Sequence, residues 1–582
     1  MYWVDILNQC LIFAIMAMSL NLLLGYAGQV SVAHAAFAAI GGYAGGYLSV
    51  KHGWHPFAGV ALGMALALAI GVIISIPALM LSGEYLILLT LAGQTVVIIM
   101  ISNISALGGQ LGLTGLPTAS VFGKDLLLPS DWLGPLVGLT AVVFALLTWI
   151  GESPFGRVLR GIREDQLATQ ALGKDVLVRK VVVFGLTSAI AALGGGLYGL
   201  YNGTVSPPLY SFSTSILLVA IVVLGGRGNL VGSIVASIVV VGSQGVFEKA
   251  ISLDPQSAAL VRLICFGLLL VVVMLVRPAG LLPERYSIGA AIRRLRRAPV
   301  VLAGDGAVAA EELATTIARH AGARERPADP AAVVQVFDVH KAFGGIKAVD
   351  GLSFELEEGR VTGLIGPNGA GKSTVFNVIT GASLPDAGTV ELFGQDITGW
   401  SIDRVARHGM LRSFQDVRVF ANLSVFENVA MAVPHQRGET LRDLFLTPWR
   451  VMQDQKRTRQ ATERALAFVG LSKRASAMVS TLPFGEQKLV ALARILAADA
   501  KVLLLDEAAS GISAEWDDRM VDIIRRLAER GLTICVVEHN LSFVERVADY
   551  VYFMESGRIT AAGTMKELTQ EERLVEVYFG QP

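Results

Sequence analysis

The chain has 582 residues, of which 53% are apolar and only 16% charged, and its 48 basic side chains balance 48 acidic ones. Soluble proteins have about a quarter of their residues charged, and single cores stop growing at roughly 250–300 residues, so the chain is not one ordinary soluble domain. A net charge of zero argues against a nucleic-acid partner, and the three dispersed cysteines support neither a disulfide framework nor a zinc site.

The charges are distributed unevenly along the chain. Residues 1–276 hold 11 Lys or Arg and 10 Asp or Glu, and the other 75 charged side chains follow them. This first part contains nine apolar runs, several of which reach the roughly 20 residues that a helix needs to cross a bilayer. The runs are residues 6–26, 30–50, 57–80, 84–103, 132–150, 181–203, 212–224, 229–248 and 257–276. We therefore predict a polytopic α-helical transmembrane domain over residues 1–280.

The basic residues predict how this domain is oriented. Lys and Arg concentrate in the loop 151–180 and after residue 276, so both regions should be cytoplasmic. An even number of crossings must lie between them, which predicts that the apolar block 212–248 is two segments broken at residues 225–229. The result is about nine spans with the N-terminus outside, uncertain by one because the runs 30–50 and 212–224 could be re-entrant.

Few strongly polar residues interrupt the apolar runs. They are His34, Glu84, Gln94 and Arg262. Such residues are costly in lipid and face a bundle interior or a water path. His34 either lines a substrate path or hydrogen-bonds a neighbouring helix, and the sequence leaves both readings open. Glu84 and Arg262 lie near predicted span ends and are expected at the interface.

Residues 281–332 differ from what precedes and follows them. They begin with a basic cluster, Arg293–Arg297, which predicts an anchor on anionic headgroups. The composition then changes to Ala, Gly, Glu and Arg with scattered Pro, which is typical of a linker.

A phosphate-binding motif opens the last part of the chain, residues 333–582. The apolar strand predicted at Arg360–Ile365 runs into a G-x-x-x-x-G-K-[ST] loop followed by a predicted helix, which is the context that this motif requires. Its glycines let backbone N–H groups wrap phosphates, Lys372 adds a positive charge, and Ser373 offers a hydroxyl to Mg²⁺. The predicted nucleotide-binding residues are Gly366, Asn368, Gly369, Gly371, Lys372, Ser373 and Thr374.

Two further strands are predicted to end in polar residues that suit phosphate chemistry. The strand at Val502–Leu505 ends in Asp506, aimed at the Mg²⁺ shell, and in Glu507, which is placed to orient or deprotonate the attacking water. A second strand ends in Glu538 and His539. A lone histidine at a strand end is usually an ordinary surface group, and only the other motifs give His539 weight as a contact to the γ-phosphate.

These motifs together resemble the nucleotide-binding domain of ABC transporters. The resemblance implies an α/β P-loop fold with a helical subdomain at about 420–480, and ATP hydrolysis with Mg²⁺. It also implies that Phe343 stacks on adenine, that Gln415 contacts Mg²⁺ and senses the membrane domain, and that His539 is the switch histidine. The family signature falls at Leu482–Gln487, where Gly485 is retained for the nucleotide of an opposing subunit.

The signature departs from the family pattern. Pro483 replaces the serine that reaches the opposing γ-phosphate, and Phe484 replaces a glycine. Proline fits a helix's first turn, so the Gly485 N–H can still face a phosphate, whereas the hydroxyl contact is lost. The site built from this signature is expected to be the weaker of a pair.

A closer resemblance links both parts to the branched-chain amino acid (Liv-type) ABC transporters. The segments that carry it are Asn21–Gln29, Ser153–Arg157, Ile162–Asp165, Val223–Gly228, Phe343–Gly345, Arg412–Phe420 and Val577–Gly580. The first four are similar to the permease and the others to the ATP-binding subunit, which the family normally keeps as separate chains. The stretch Arg163–Leu172 would be the coupling helix, which docks beside Gln415, or else merely a charged cytoplasmic loop. Apolar residues lie there beside acidic and basic ones, which indicates an amphipathic helix with a partner surface and favours docking.

The resemblance implies an ATP-driven importer subunit in the bacterial inner membrane, with a cytoplasmic ATPase domain. The partners implied are a periplasmic substrate-binding protein and a second permease and ATPase pair, either another copy of this chain or a different one. Branched-chain amino acids are the implied substrates, with urea, amides or aromatic acids as alternatives. An exporter half-transporter fits the many spans and short loops poorly, and a non-transporting ATPase is disfavoured by the membrane half.

Overall fold

The computed structural model describes residues 1–79, 83–121, 123–250, several positions between 264 and 289, 331–413, 416–507 and 514–570. The chain forms two compact units. The first comprises Met1–Arg163 and Val176–Ala298, and the second comprises Glu164–Asp175 and Pro299–Pro582. The second unit thus takes in a short segment that lies within the permease region of the sequence. The domain boundaries expected at residues 280 and 332 stay predictions.

The first unit is helical, as its apolar runs predict. Its helices are α1 (Tyr2–Asn21), continued by a π-helical turn at Leu22–Tyr26, α2 (His34–His52), α3 (Pro56–Leu79), α4 (Gly83–Asn103), α5 (Pro129–Gly151), α6 (Pro154–Glu164), α8 (Val176–Asn202), α9 (Phe212–Gly225) and α10 (Leu230–Ala250). Helix α7 (Gln166–Ala171) belongs to the second unit. Two small antiparallel pairs join β1 (Leu113–Thr114) to β4 (Thr204–Val205) and β2 (Ser120–Val121) to β3 (Lys124–Asp125). Short 3₁₀ turns lie at Ser105–Leu107, Pro207–Tyr210 and Glu284–Tyr286.

Within the described residues, six helices are long and apolar enough to cross a membrane. They are Tyr2–Tyr26, Pro56–Pro77, Tyr85–Asn103, Pro129–Gly151, Val176–Asn202 and Pro207–Gly225, and Leu230–Ser243 is a shorter apolar helix. The run 30–50 forms the glycine-rich helix α2 but is not among the six. Most of the run 257–276, with Arg262, lies outside the described residues, as does the Arg293–Arg297 cluster. The span count therefore remains approximate.

The predicted break at residues 225–229 is present, and a buried amide holds it. The Asn21 side chain donates to the carbonyls of Gly226 at 3.2 Å and Asn229 at 2.9 Å, and it accepts from the Gly228 N–H at 2.8 Å. Gly25 packs against the same turn so closely that a Cβ there would lie 2.3 Å from the Gly228 nitrogen. Two segments that carry the permease resemblance thus meet in space.

The second unit contains two sheets. The larger has strand order β10–β11–β12–β7–β13–β14 and is parallel except at β14, and the smaller is antiparallel with order β6–β5–β8–β9. The strands are β5 (Ala332–Phe343), β6 (Ile346–Glu357), β7 (Val361–Ile365), β8 (Ala387–Leu392), β9 (Gln395–Asp396), β10 (Met410–Arg412), β11 (Val502–Asp506), β12 (Thr533–Val537), β13 (Tyr550–Glu555) and β14 (Arg558–Gly563). Every residue of β7, β11 and β12 is buried, which explains their continuous apolar runs.

Helices cover the sheets of the second unit. They are α11 (Lys372–Ile379), α12 (Ile402–Arg407), α13 (Val425–Ala432), α14 (Leu441–Leu446), α15 (Pro448–Phe468), α16 (Phe484–Ala497), α17 (Ala514–Ala528), α18 (Leu541–Val547) and α19 (Met565–Leu568). Helices α13 to α15 occupy the region expected for the helical subdomain.

Candidate functional site

The loop between β7 and α11 is shaped by its glycines. Gly366 and Gly371 have φ angles of 149° and 104°, in a region that side chains rarely adopt. A Cβ at Gly366 would lie 2.0 Å from the Met554 carbonyl oxygen, and one at Gly371 would lie 2.1 Å from that of Ala348. Only glycine fits at either position. The loop therefore closes tightly before α11 begins at Lys372, whose helix N-terminus favours anions.

Lys372 lies inside this loop. Its side-chain ammonium donates to the carbonyls of Gly366 at 2.7 Å and Pro367 at 2.9 Å, and the residue is buried. Burial lowers the pKa of Lys372, while the charges of Glu507 and Asp506 oppose that shift, so the two carboxylates act on the same ammonium. Asn368, Gly369 and Ser373 are exposed at the mouth of the loop. The arrangement fits a polyphosphate.

Asp506, at the end of β11, has one carboxylate oxygen satisfied and one free. Oδ2 accepts from the Arg412 guanidinium at 2.8 Å, and the Asp506 N–H donates to Ser413 Oγ at 2.9 Å. Oδ1 is buried and has no hydrogen-bond partner among the described residues. Burial raises the pKa of Asp506 although Arg412 acts in the opposite direction. A buried, unpartnered carboxylate oxygen suits a divalent cation such as Mg²⁺.

Glu507 and His539 come together because β11 and β12 are parallel neighbours whose carboxyl ends meet. His539 Nε2 lies 3.1 Å from Glu507 Oε1. Glu507 has a φ of 48°, a left-handed conformation that is unfavourable for a side chain and is found often at functional sites. Its N–H donates to the Val537 carbonyl at 2.9 Å, which fixes the carboxylate beside the strand ends.

The remaining predicted site residues are placed apart from this group or outside the described residues. Phe343 ends β5 and is 51% exposed, with the Lys341 ammonium 5.4 Å from its ring centre. Gly485 lies in the first turn of α16, where Pro483 is the N-cap and Phe484 is 52% exposed. Gln415 lies outside the described residues, so its predicted role stays a prediction.

Sequence reasoning missed two basic side chains, of Arg412 and Lys488, that contact Asp506 and Glu507. The Arg412 side chain is 7% exposed, and besides Asp506 it binds the side-chain oxygen of Asn377 at 2.5 Å. Lys488 in α16 donates to the Glu507 carbonyl at 3.3 Å, and burial lowers its pKa. Arg412 is the last residue of β10, and β10 pairs in parallel with β11. Knowledge of that pairing would have placed Arg412 near Asp506.

The segment Glu164–Asp175 packs into the second unit as the amphipathic pattern predicts. Ala168 and Leu172 belong to its hydrophobic core. Asp165 caps α7 through the Ala168 N–H and binds the Arg418 guanidinium at 3.0 Å. Lys174 is buried, and its ammonium lies 2.6 Å from a Glu439 carboxylate oxygen and 3.1 Å from the Val433 carbonyl.

Comparison with known proteins identifies both parts. Residues 2–274 match the family "Branched-chain amino acid transport system / permease component", and residues 349–510 match the family "ABC transporter". The chain is 33% identical over 254 residues to the high-affinity branched-chain amino acid transport ATP-binding protein BraF of Pseudomonas aeruginosa, covering 43% of this chain and 98% of that protein. The chain belongs to the branched-chain amino acid ABC transporter family.

Other ABC proteins resemble the same part of this ABC transporter subunit. It is 35% identical over 243 residues to LivG of Salmonella typhimurium, a high-affinity branched-chain amino acid transport ATP-binding protein, covering 41% of the chain and 94% of LivG. A nucleotide-free ATP-binding cassette of solved structure is 30% identical, with a TM-score of 0.38, covering 43% of this chain and all of that one. The predicted fusion of a permease with an ABC ATPase that binds and hydrolyses ATP is confirmed.

Proposed function

We propose that this chain is a subunit of an ATP-driven importer of branched-chain or related hydrophobic amino acids in the bacterial inner membrane, with its ATPase domain in the cytoplasm. One observation carries the proposal. The permease part and the ATP-binding part independently match components of the same transport system, namely a permease family over residues 2–274 and ATP-binding relatives covered almost completely. An exporter half-transporter does not account for the first of these matches.

The ATP site is assigned to the residues around the loop. The N–H groups of the loop, with Lys372 and Thr374, bind the phosphates, Phe343 stacks on adenine, and Gly485 serves the nucleotide of an opposing subunit. Ser373, Gln415 and Asp506 are the candidate ligands of Mg²⁺. When bound, Mg²⁺ neutralises the developing charge on the phosphates. The unpartnered Oδ1 of Asp506 supports this assignment.

Hydrolysis is assigned to Glu507 and His539. Glu507 orients the attacking water and accepts its proton, which a carboxylate can do within hydrogen-bond reach. His539 Nε2, 3.1 Å from Glu507 Oε1, holds that carboxylate in place and is available for the γ-phosphate. Lys488 fixes the backbone of Glu507 through its carbonyl.

The assembly is proposed to contain a second permease and ATPase pair and a periplasmic substrate-binding protein. ABC sites form between two ATPase domains, and residues 349–510 of this chain match one. Its signature places Pro483 and the exposed Phe484 where a hydroxyl and a glycine would serve the opposing nucleotide. We therefore expect a different partner chain that supplies an intact signature to Lys372 and Glu507. Native mass measurement of the purified active transporter tests this, and a complex with this chain as its only membrane subunit contradicts it.

Uptake measurements test the transport function. Right-side-out vesicles that contain the complete complex should accumulate [³H]leucine only with internal ATP and an external binding protein. Vesicles with the Glu507→Gln variant should not accumulate it. [¹⁴C]Urea and [³H]phenylalanine, offered with the same binding protein, test the alternative substrates. Accumulation of either one in place of leucine would overturn the substrate, and export of leucine would overturn the direction.

A further inference from the structure

Helix α2 begins inside the first unit, after a stretch with no regular structure at residues 28–33. Hydroxyl groups satisfy the N–H groups at its start. Ala35 N–H donates to Ser215 Oγ at 3.1 Å, and Val32 N–H donates to Thr90 Oγ1 at 3.2 Å. The helix N-terminus is therefore surrounded by side chains of α4 and α9.

These partners lie in the middle of helices that can cross a membrane. Ser215 is the ninth residue of the 19-residue candidate span Pro207–Gly225. Gln94, whose Oε1 accepts from Ser215 Oγ at 2.7 Å, is the tenth residue of the 19-residue span Tyr85–Asn103. Helix α2 therefore begins near mid-span rather than at a membrane surface. In transporters, interrupted helices of this kind direct the positive ends of their dipoles at anionic substrate groups.

Some buried side-chain nitrogens at this helix end have no hydrogen-bond partner among the described residues. Gln94 is 2% exposed, and its Nε2 has no hydrogen-bond partner in the part of the chain that the structure describes. His34, the first residue of α2, is 1% exposed, and both of its ring nitrogens are likewise without partners. Leaving a buried polar group unsatisfied is unfavourable, so such groups call for a ligand or another explanation.

The unpartnered groups define the chemistry of a ligand. Gln94 Nε2 has two N–H donors and no acceptor capacity, and a neutral imidazole offers one donor. Together with the positive end of the α2 dipole, these donors suit an anionic group that has acceptor oxygens. In an amino acid, that group is the α-carboxylate. Ser215 ties Gln94 to the first turn of α2, so the donor and the helix end act at the same place.

We propose that the N-terminus of α2, with Gln94 and His34, is the site that receives the α-carboxylate of the transported amino acid. This inference rests on the proposed function. Both side chains are buried in this structure, so the site is closed here and becomes accessible when the permease helices move apart. Alternating access around a site near the midplane is the arrangement expected of transporters.

Equilibrium binding to the complete complex in nanodiscs, without the binding protein, tests the proposal. The probes are [³H]leucine and unlabelled leucinamide, which lacks the carboxylate. We expect the wild type to prefer leucine by about tenfold or more, as a charge-assisted hydrogen bond provides. Gln94→Glu places a negative charge beside the carboxylate of bound leucine. It should weaken leucine binding about tenfold and change leucinamide binding by less than about twofold. Gln94→Met removes the donor without adding charge and should shift the preference in the same direction.

Thr95→Val is the matched control. Thr95 is the next residue of α4 and is exposed, and its hydroxyl donates to the Leu91 carbonyl of its own helix, so its variant should bind both probes as the wild type does. The proposal is overturned if both Gln94 variants keep the wild-type preference, if the wild type has none, or if the variants lose leucine and leucinamide equally. Failure of the proposed function would look different, since the wild type would then accumulate no hydrophobic amino acid in vesicles.

Discussion

Asp506 and Glu507 are adjacent in sequence but have different surroundings. Asp506 is 2% exposed and ion-paired to Arg412, and it keeps one oxygen free. Glu507 turns into a left-handed backbone conformation and meets His539 instead. The two neighbouring carboxylates therefore suit the separate roles proposed for them, Asp506 as a ligand of a cation and Glu507 as a base for a water molecule.

Removing the proposed base tests this division. Glu507→Gln keeps the shape of the side chain but cannot accept a proton, so ATP hydrolysis should fall about 10²-fold or more while ATP still binds. Steady-state phosphate release and nucleotide binding measure the two effects. Glu529→Gln is the control, because Glu529 is an exposed residue directly after α17. This variant should hydrolyse ATP at the wild-type rate. Hydrolysis within twofold of wild type in Glu507→Gln would refute the assignment.

The Asp350 carboxylate predicts a pH dependence of stability. Arg558 at 2.6 Å and Lys347 at 3.2 Å lower its pKa from 3.8 to about 2. Because the folded pKa lies below the unfolded one, the carboxylate stabilises the fold fully above pH 3.8, and that contribution is lost as the pH falls towards 2. Asp350→Asn should therefore melt below the wild type at pH 7, and the difference should disappear near pH 2.

Thermal melting of the full-length protein between pH 7 and pH 2 measures this difference. Arg558→Gln removes the same pair from the other side and should show the same pH dependence. A melting difference that is constant over the whole range would contradict the assignment.

The part of the site that lies in one stretch of sequence could be predicted, and the part assembled through space could not. The phosphate loop is contiguous, and each glycine has a local backbone reason. Arg412 and Lys488 reach Asp506 and Glu507 from separate elements, so only strand order and packing reveal their role. The start of α2 at mid-span was foreseen only as the possibility that the glycine-rich run 30–50 is re-entrant, because composition cannot show which side chains surround the end of a helix.

The helices themselves were predictable from apolar runs, whereas the assignment of α7 was not. Its amphipathic pattern indicated a partner surface, but composition cannot say that Ala168 and Leu172 enter the core of the ATPase unit. The break between α9 and α10 was predicted from its glycines and from counting crossings. That Asn21 holds the break open is a long-range contact, which no local pattern contains.

The Lys174–Glu439 pair predicts how α7 is coupled to the helical subdomain. The two side chains are only 4% and 10% exposed, and removing one partner of such a buried pair typically costs about 3–5 kcal/mol. We expect Glu439→Gln to lower the melting temperature and to reduce leucine uptake per ATP hydrolysed about fivefold. Uptake and phosphate release, measured in the same vesicles, give this ratio.

Exchanging the charges provides the check on this prediction. Lys174→Glu combined with Glu439→Lys should recover part of the ratio, though not all of it, because the Val433 carbonyl loses its donor. Arg437→Gln removes a nearby exposed pair with Asp454 at 4.0 Å and should have little effect. Equal ratios in all three variants would contradict the coupling role.

At the scale of the whole molecule, the chain leaves the first unit after Arg163 and returns to it at Val176. If the chain is cut after residue 298, the two fragments should therefore still be held together by noncovalent contacts of the segment Glu164–Asp175 within the second unit. Residues 1–298 and 299–582, expressed as separate chains, should co-purify, because the first fragment carries Ala168 and Leu172 for the core of the second unit.

Affinity capture through a tag on one fragment measures this association. The same pair with Ala168→Asp and Leu172→Asp is the control, and it should not co-purify, since charges placed in an apolar core destabilise it. Fragments that separate without these substitutions would refute the prediction.

The inclusion of Glu164–Asp175 in the second unit also affects how the protein is made. Ribosomes add roughly 5–20 residues per second, so this segment is synthesised roughly 20 to 75 s before the end of β12 at Val537. Until β11 and β12 have been synthesised, the core that takes in Ala168 and Leu172 is incomplete, because these strands supply part of it. A chain truncated by premature termination would retain this uncovered segment. The segment thus offers cellular quality control a means of distinguishing incomplete chains from finished ones.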